Sequence, residues 1–256
     1  MRIGSLFSGI GGLELGLEWA GVGHVVWQVE KDEWCRRVLA KHWPEAERFE
    51  DVRDVDPSVL EPVDLICGGF PCQDVSAAGR QAGLAGARSG LWSEFARIVD
   101  ECQPFAVVVE NVAHGRAAWL PVVRRDLCEL GYRTRAVQVS AADVGAPHLR
   151  ERVFVIATAD ADGEPVRIKP ERRPARRTRA VRGQGQAEPV GDGGARAASG
   201  ASGWPALPDL RRVDDGLSRG LDRRRLTALG NAVVPQVAEV VGHVVLEILG
   251  RHHVQP

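Results

Sequence analysis

The sequence predicts an α/β fold: a mostly parallel sheet covered by helices. Three observations lead there. Short apolar runs alternate with amphipathic stretches through residues 1–157. Several of the runs end in glycine-rich or acidic turns, and a long apolar segment returns near the C-terminal end. Repeated strand–helix alternation is the pattern of a parallel sheet with helical crossovers.

The elements follow in order. "RIGSLF" reads as a first strand, and "LELGLEWAG" as a helix stopped by Gly21. "HVVWQV" is the second strand; "DEWCRRVLAKHW" is a helix with Asp32 as its N-cap. "VDLICGGF" is a strand that runs into the pair Pro71-Cys72. "SGLWSEFARIVDEC" is a helix capped by Ser89, "FAVVVEN" a strand, and "WLPVVRRDLCELGY" a helix. "YRTRAVQVSAADVG" and "RVFVIAT" close the series.

The composition then changes. Residues 158–222 hold few large apolar side chains and much Arg, Gly, Pro and Ala. Eight basic residues and one acid, Glu171, fall between Arg167 and Arg182. "GDGGARAASGASG" is low-complexity, so this region reads as a short, partly disordered recognition region or linker. Order resumes with "LTALGNAVVPQVAEVVGHVVLEILG". Asn231 reads as a cap or turn residue and Pro235 as the first turn of an apolar helix. That helix is too apolar for a surface, so it should pack back on the sheet. The domain 1–157 would then be completed by residues 223–256.

Bulk properties set limits. The net charge is −1, so attraction to nucleic acid must come from a local patch. Five cysteines at irregular spacing imply a reducing compartment and show no zinc pattern. No signal peptide and no membrane-length apolar run is evident. The expectation is a cytoplasmic monomer without metal or membrane association.

Four motifs carry chemistry. "SLFSGIGG" joins the first strand to the first helix, and glycines 9, 11 and 12 let a ligand approach the backbone beside a helix N-terminus. Glu30 ends the second strand, where an acid can accept hydrogen bonds from ribose hydroxyls. The phosphate-gripping glycine pattern is missing, which favours a nucleoside cofactor without pyrophosphate, such as S-adenosyl-L-methionine. The plain reading is a tight turn with a solvated glutamate. Cys72 sits where a strand opens into a loop bearing glycines 79, 83, 86 and 90. A lone cysteine is usually packing. Pro71, however, fixes the turn, and the loop after it is built to move. Glu110 and Asn111 end a later strand, on the rim where open parallel sheets bind ligands. Arg150 and Arg152, two apart, would share one face of an extended chain and suit phosphate or a carbonyl oxygen.

These pieces together resemble the DNA cytosine-C5 methyltransferases. "FSGIGG", "GGFPCQ", "ENV", "RERVFVIA" and "GNAVVPQVA" stand in that family's order and approximate spacing. The resemblance implies a Rossmann-like S-adenosylmethionine-dependent methyltransferase fold with a small irregular target-recognition region. It implies methyl transfer from S-adenosyl-L-methionine to C5 of a flipped-out cytosine in double-stranded DNA. Phe7, Gly9, Gly11, Gly12 and Glu30 would form the cofactor site, with Asp51 at the adenine amine and Val52 against its ring. Asp54 competes with Asp51 for that place. Pro71, Asn231 and Ala232 would also border the cofactor. Cys72 would be the nucleophile and Glu110 the acid at the base, with Arg152 supporting the cytosine and Arg150 nearby.

The chain departs from the family at His148, where glutamine is usual, and in its short middle region. Before "LTALGNAVVP" no clear version of the family's penultimate motif stands. A tRNA cytosine methyltransferase on the same scaffold and a non-catalytic DNA-binding remnant remain alternatives. The recognition sequence is not legible. Restriction–modification, host-defence evasion and regulation all stay open as roles.

Overall fold

The computed structural model describes residues 1–71, 90–159 and 219–252. Cys72, the glycine-bearing loop after it, the arginine run 167–182 and the low-complexity stretch 191–203 lie outside the described residues.

Seven strands form one sheet: β1 (Arg2–Leu6), β2 (His24–Val29), β3 (Glu47–Phe49), β4 (Leu65–Gly69), β5 (Ala106–Val112), β6 (Tyr132–Val139) and β7 (Arg152–Ala159). Their order is β3-β2-β1-β4-β5-β7-β6. The pairings among β1 to β5 are parallel, and β7 runs antiparallel between β5 and β6. The apolar runs of the sequence predict every strand except β3, whose three residues carry no periodic signal.

Among the described residues the helices are α1 (Gly12–Trp19), α2 (Glu33–His42), α3 (Leu91–Cys102), α4 (Arg116–Glu129), α5 (Arg219–Asn231) and α6 (Pro235–His252). The Asp32 carboxylate accepts from Cys35 N at 2.9 Å, as an N-cap of α2 should. α3 starts later than predicted. Gly90 takes the N-cap position with no side-chain cap bond, and Ser89, expected as that cap, lies outside the described residues.

Two cores lie on the two faces of the sheet. On one, Leu13 and Leu17 of α1 and Val237, Val241 and Val245 of α6 pack over Ile3, Leu65 and Val108. On the other, Phe95 and Ile98 of α3 and Trp119, Val123 and Leu127 of α4 pack over Ile66, Val107 and Val109. The C-terminal helix therefore completes the domain begun by the first strand. The stretch Arg224–Gly250 is long and apolar enough to cross a bilayer. It breaks at Ala232–Val234, and its second half buries Val237, Ala238, Val241 and Val245.

Residues 158–222 were expected to form a separate region. Of these, Thr158 and Ala159 finish β7, and 219–222 belong to α5.

Candidate active site

The chain leaves β1 towards β2 and β3 on one side and leaves β4 towards β5 on the other. Such a reversal opens a crevice at the carboxyl ends of the two central strands. Here the loop after β1 and Pro71 after β4 border a cavity of about 1550 Å³. That exceeds the usual volume of a single small-ligand pocket. Every predicted site residue within the described segments lines this cavity except Gly11 and Arg150.

The loop is shaped by backbone that few side chains tolerate. Phe7 has φ 57, Gly9 φ 57 and Gly11 φ 83. Gly11 caps α1 and is not part of the cavity lining. A Cβ there would meet the Trp43 ring at 2.3 Å. Gly12 is required for a different reason: a Cβ would come within 2.2 Å of Val233 O, where the C-terminal segment crosses the start of α1. The Glu30 carboxylate accepts from Gly9 N and Asp32 N, both at 2.7 Å, and so holds the loop at the end of β2.

Asp51 also lines the cavity, whereas Asp54 sits in a smaller depression beside Phe49 and Glu50. The Asp51 carboxylate is held by Arg53, with Nε at 2.9 Å, and by Lys31 at 3.1 Å. Hydrogen bonds from Arg53 keep it far below the usual carboxylate range. Val52 is buried, and Arg97 of α3 donates to its carbonyl at 3.1 Å.

Glu110 and Arg152 meet on the rim because β7 is antiparallel. β7 begins where β5 ends, with Arg152 opposite Val112 and Phe154 opposite Glu110. Arg152 Nε lies 2.8 Å from Glu110 Oε1, and both side chains are about a tenth exposed. Neither atom has a partner in hydrogen-bond alignment, so the contact is an ion pair with polar capacity left over. Burial pushes the Glu110 carboxyl up to about 7, against the opposing charges of Arg152 and Arg150. The carboxyl lies over Gly69, where a Cβ would meet Glu110 Oε2 at 2.4 Å. The second glycine of "CGGFPC" is thus the space the acid occupies. Asn111 Nδ2 donates to Phe70 O at 2.9 Å, and the Phe70 ring packs on Trp92 and Trp119. The backbone entering Pro71 is anchored from both sides.

Arg150 departs from the expectation. It has φ 34 and does not share an extended strand face with Arg152. Its guanidinium donates to the carbonyls of Gly230, at 2.7 Å, of Leu229 and of Ala232. These are carbonyls at and just past the end of α5, which lack helical partners. Arg150 is therefore a tie between the start of β7 and the C-terminal segment. Arg150→Met should weaken that tie by about 1–3 kcal/mol. Faster hydrogen exchange at the Ala232 amide would report it; unchanged exchange would refute it.

Several cavity residues escaped the sequence reading. Arg224 and Thr227 arrive from α5, whose low apolar content hid it as a helix. Ser5, Ser8 and Glu14 lie beneath the loop, and only Glu14, in the first turn after "GIGG", left a visible signal.

Known proteins resemble this chain over more than half of its length. Type II methyltransferase M.HhaI of Haemophilus parahaemolyticus is 35% identical over 160 residues, 61% of this chain and 48% of its own. Type II methyltransferase M2.BsuMI of Bacillus subtilis is 34% identical over 174 residues, 65% and 44% of the two chains. The DNMT2 of Spodoptera frugiperda shares the fold, with a TM-score of 0.52, 22% identity, and coverage of 62% and 50%. The matched region thus spans about half the length of these relatives. The C-5 cytosine-specific DNA methylase family model matches residues 1–188, and the chain belongs to that family.

Proposed function

We propose that this chain transfers a methyl group from S-adenosyl-L-methionine to C5 of a cytosine flipped out of double-stranded DNA, by a transient adduct with Cys72. The observation that carries the reading is the buried Glu110–Arg152 pair, placed on one rim with the glycine loop and with the anchored backbone that enters Pro71.

The cleft fits the cofactor's chemistry. Glu30 stands at the loop as a ribose-binding acid would, Val52 offers an apolar contact and Asp51 a carboxylate. Phe7, Gly12, Asn231 and Ala232 close the same space. When bound, S-adenosyl-L-methionine supplies an electrophilic methyl carbon. The protein's task is to make cytosine C5 nucleophilic. Addition of the Cys72 thiolate to C6 breaks the ring's aromaticity. Glu110, with a carboxyl near neutrality, holds a proton at N3 and offsets the charge that develops there. Arg152 orients Glu110 and leaves N–H groups for the base carbonyl. C5 is then enamine-like and takes the methyl group as the S–CH3 bond breaks and the sulfonium becomes a neutral thioether. A base removes the C5 proton, and Cys72 leaves as thiolate. The base must leave the stack to reach this rim.

The test is incubation with methyl-labelled S-adenosyl-L-methionine and unmethylated DNA, followed by sequencing for 5-methylcytosine. Methylation of cytosine in DNA is expected. Methylation of tRNA alone would reassign the substrate, and cofactor binding without transfer to either would make this a binding protein.

A further inference from the structure

Beneath the glycine loop lies a buried polar chain that the methyl-transfer chemistry does not use. Ser8 Oγ donates to Ser5 Oγ at 2.8 Å, and Ser5 Oγ donates to Glu14 Oε1 at 2.5 Å. Glu14 is 1% exposed, yet it borders the cavity, as do both serines. Its other oxygen, Oε2, has no hydrogen-bond partner, and neither side-chain atom of Gln28 next to Ser5 has one. A glutamate in a first helical turn is ordinary, since the helix end favours its charge. Full burial with an unpartnered oxygen is not. A buried carboxylate is costly unless something positive or a donor completes it.

Resting on the reading that the cleft takes S-adenosyl-L-methionine, we infer that Glu14 is a positioning residue for the α-ammonium group of the cofactor's amino-acid end, acting through Ser5 and Ser8. With Glu14 ionised, Ser5 donates to Glu14 and Ser8 donates to Ser5. The Ser8 hydroxyl, its proton committed to Ser5, then presents only lone pairs at the loop. The loop thereby accepts a cation. With Glu14 protonated, the chain can reverse and Ser8 becomes a donor, which a cation does not want. Burial pushes the Glu14 carboxyl up to about 7, helped slightly by the Glu30 charge, so the switch lies in the working range. The other titratable group facing it is the Cys67 thiol of β4, which its own burial holds neutral.

Calorimetric binding at pH 6 and pH 8 tests this. Affinity for S-adenosyl-L-methionine depends on the ionised fraction of Glu14. It should therefore rise about tenfold over that range in the unmodified protein. Glu14→Gln should lose this rise beyond what the ligand's own amine contributes, and should bind about tenfold more weakly at pH 8. Adenosine, which lacks the charged end, should bind both proteins alike. Ser8→Ala interrupts the chain without touching α1 and should weaken binding in the same direction, so the inference survives misfolding of the first variant. Equal affinity and equal pH profiles in variant and parent would overturn it. So would equal weakening of adenosine, which would mark Glu14 as structural. An unmodified protein that fails to bind the cofactor at all would instead overturn the reading of the cleft.

Discussion

Glu110→Gln should slow methyl transfer by about 10²–10⁴-fold, the usual worth of a positioned acid. The substitution keeps the shape that Gly69 leaves open for this side chain. It removes the ability to give a proton to N3. The pH dependence gives a second handle. The Glu110 carboxyl is raised to about 7, so it is protonated below that pH and ionised above it. In the unmodified enzyme kcat/KM should therefore fall above about pH 7 as the acid is lost. In the variant that descending limb should vanish, leaving only the rise due to thiolate formation. Arg152 is left without its counter-charge, so folding must be checked by circular dichroism. A variant that is folded, binds cofactor, and keeps more than a tenth of the parent rate would remove Glu110 from the chemistry.

Cys72→Ala should reduce methyl transfer to background while cofactor affinity changes by no more than about twofold. Asn111 and two tryptophan rings hold Phe70, and Pro71 restricts the next φ, so the chain enters position 72 from fixed backbone at the Glu110 rim. Without the thiolate, no group adds to C6, and C5 stays a poor nucleophile. DNA carrying 5-fluorocytosine separates this from a binding defect. The C5–F bond cannot release a proton, so a completed methyl transfer leaves the sulfur attached to C6. The unmodified protein should give a complex that survives denaturation, and the variant none. Residual transfer by the variant at the parent rate would disprove covalent catalysis through this cysteine.

Much of the fold was legible because it rests on local signals. Alternating apolar runs placed β1, β2, β4 and β5, and Asp32 marked the start of α2 as its cap. β3 was missed because three residues cannot show a period, and its strand character comes from pairing with β2. α5 was missed because its helix carries little apolar pattern and is tied by Arg150 from 80 residues away.

The sequence by itself determined which residue types stand at the strand ends: the glycine loop, Glu30, the Pro71-Cys72 pair, Glu110 and the arginines. Those identities follow from motifs of a few adjacent residues. Only the tertiary structure decided which of them meet. An antiparallel β7 brings Arg152 to Glu110, while Arg150, at positive φ, donates instead to carbonyls at the end of α5. The packing of α1 on the sheet buries Glu14 beneath the glycine loop. Contacts of this kind depend on strand direction, burial and the spare capacity of distant polar groups, and no local window of sequence carries that information.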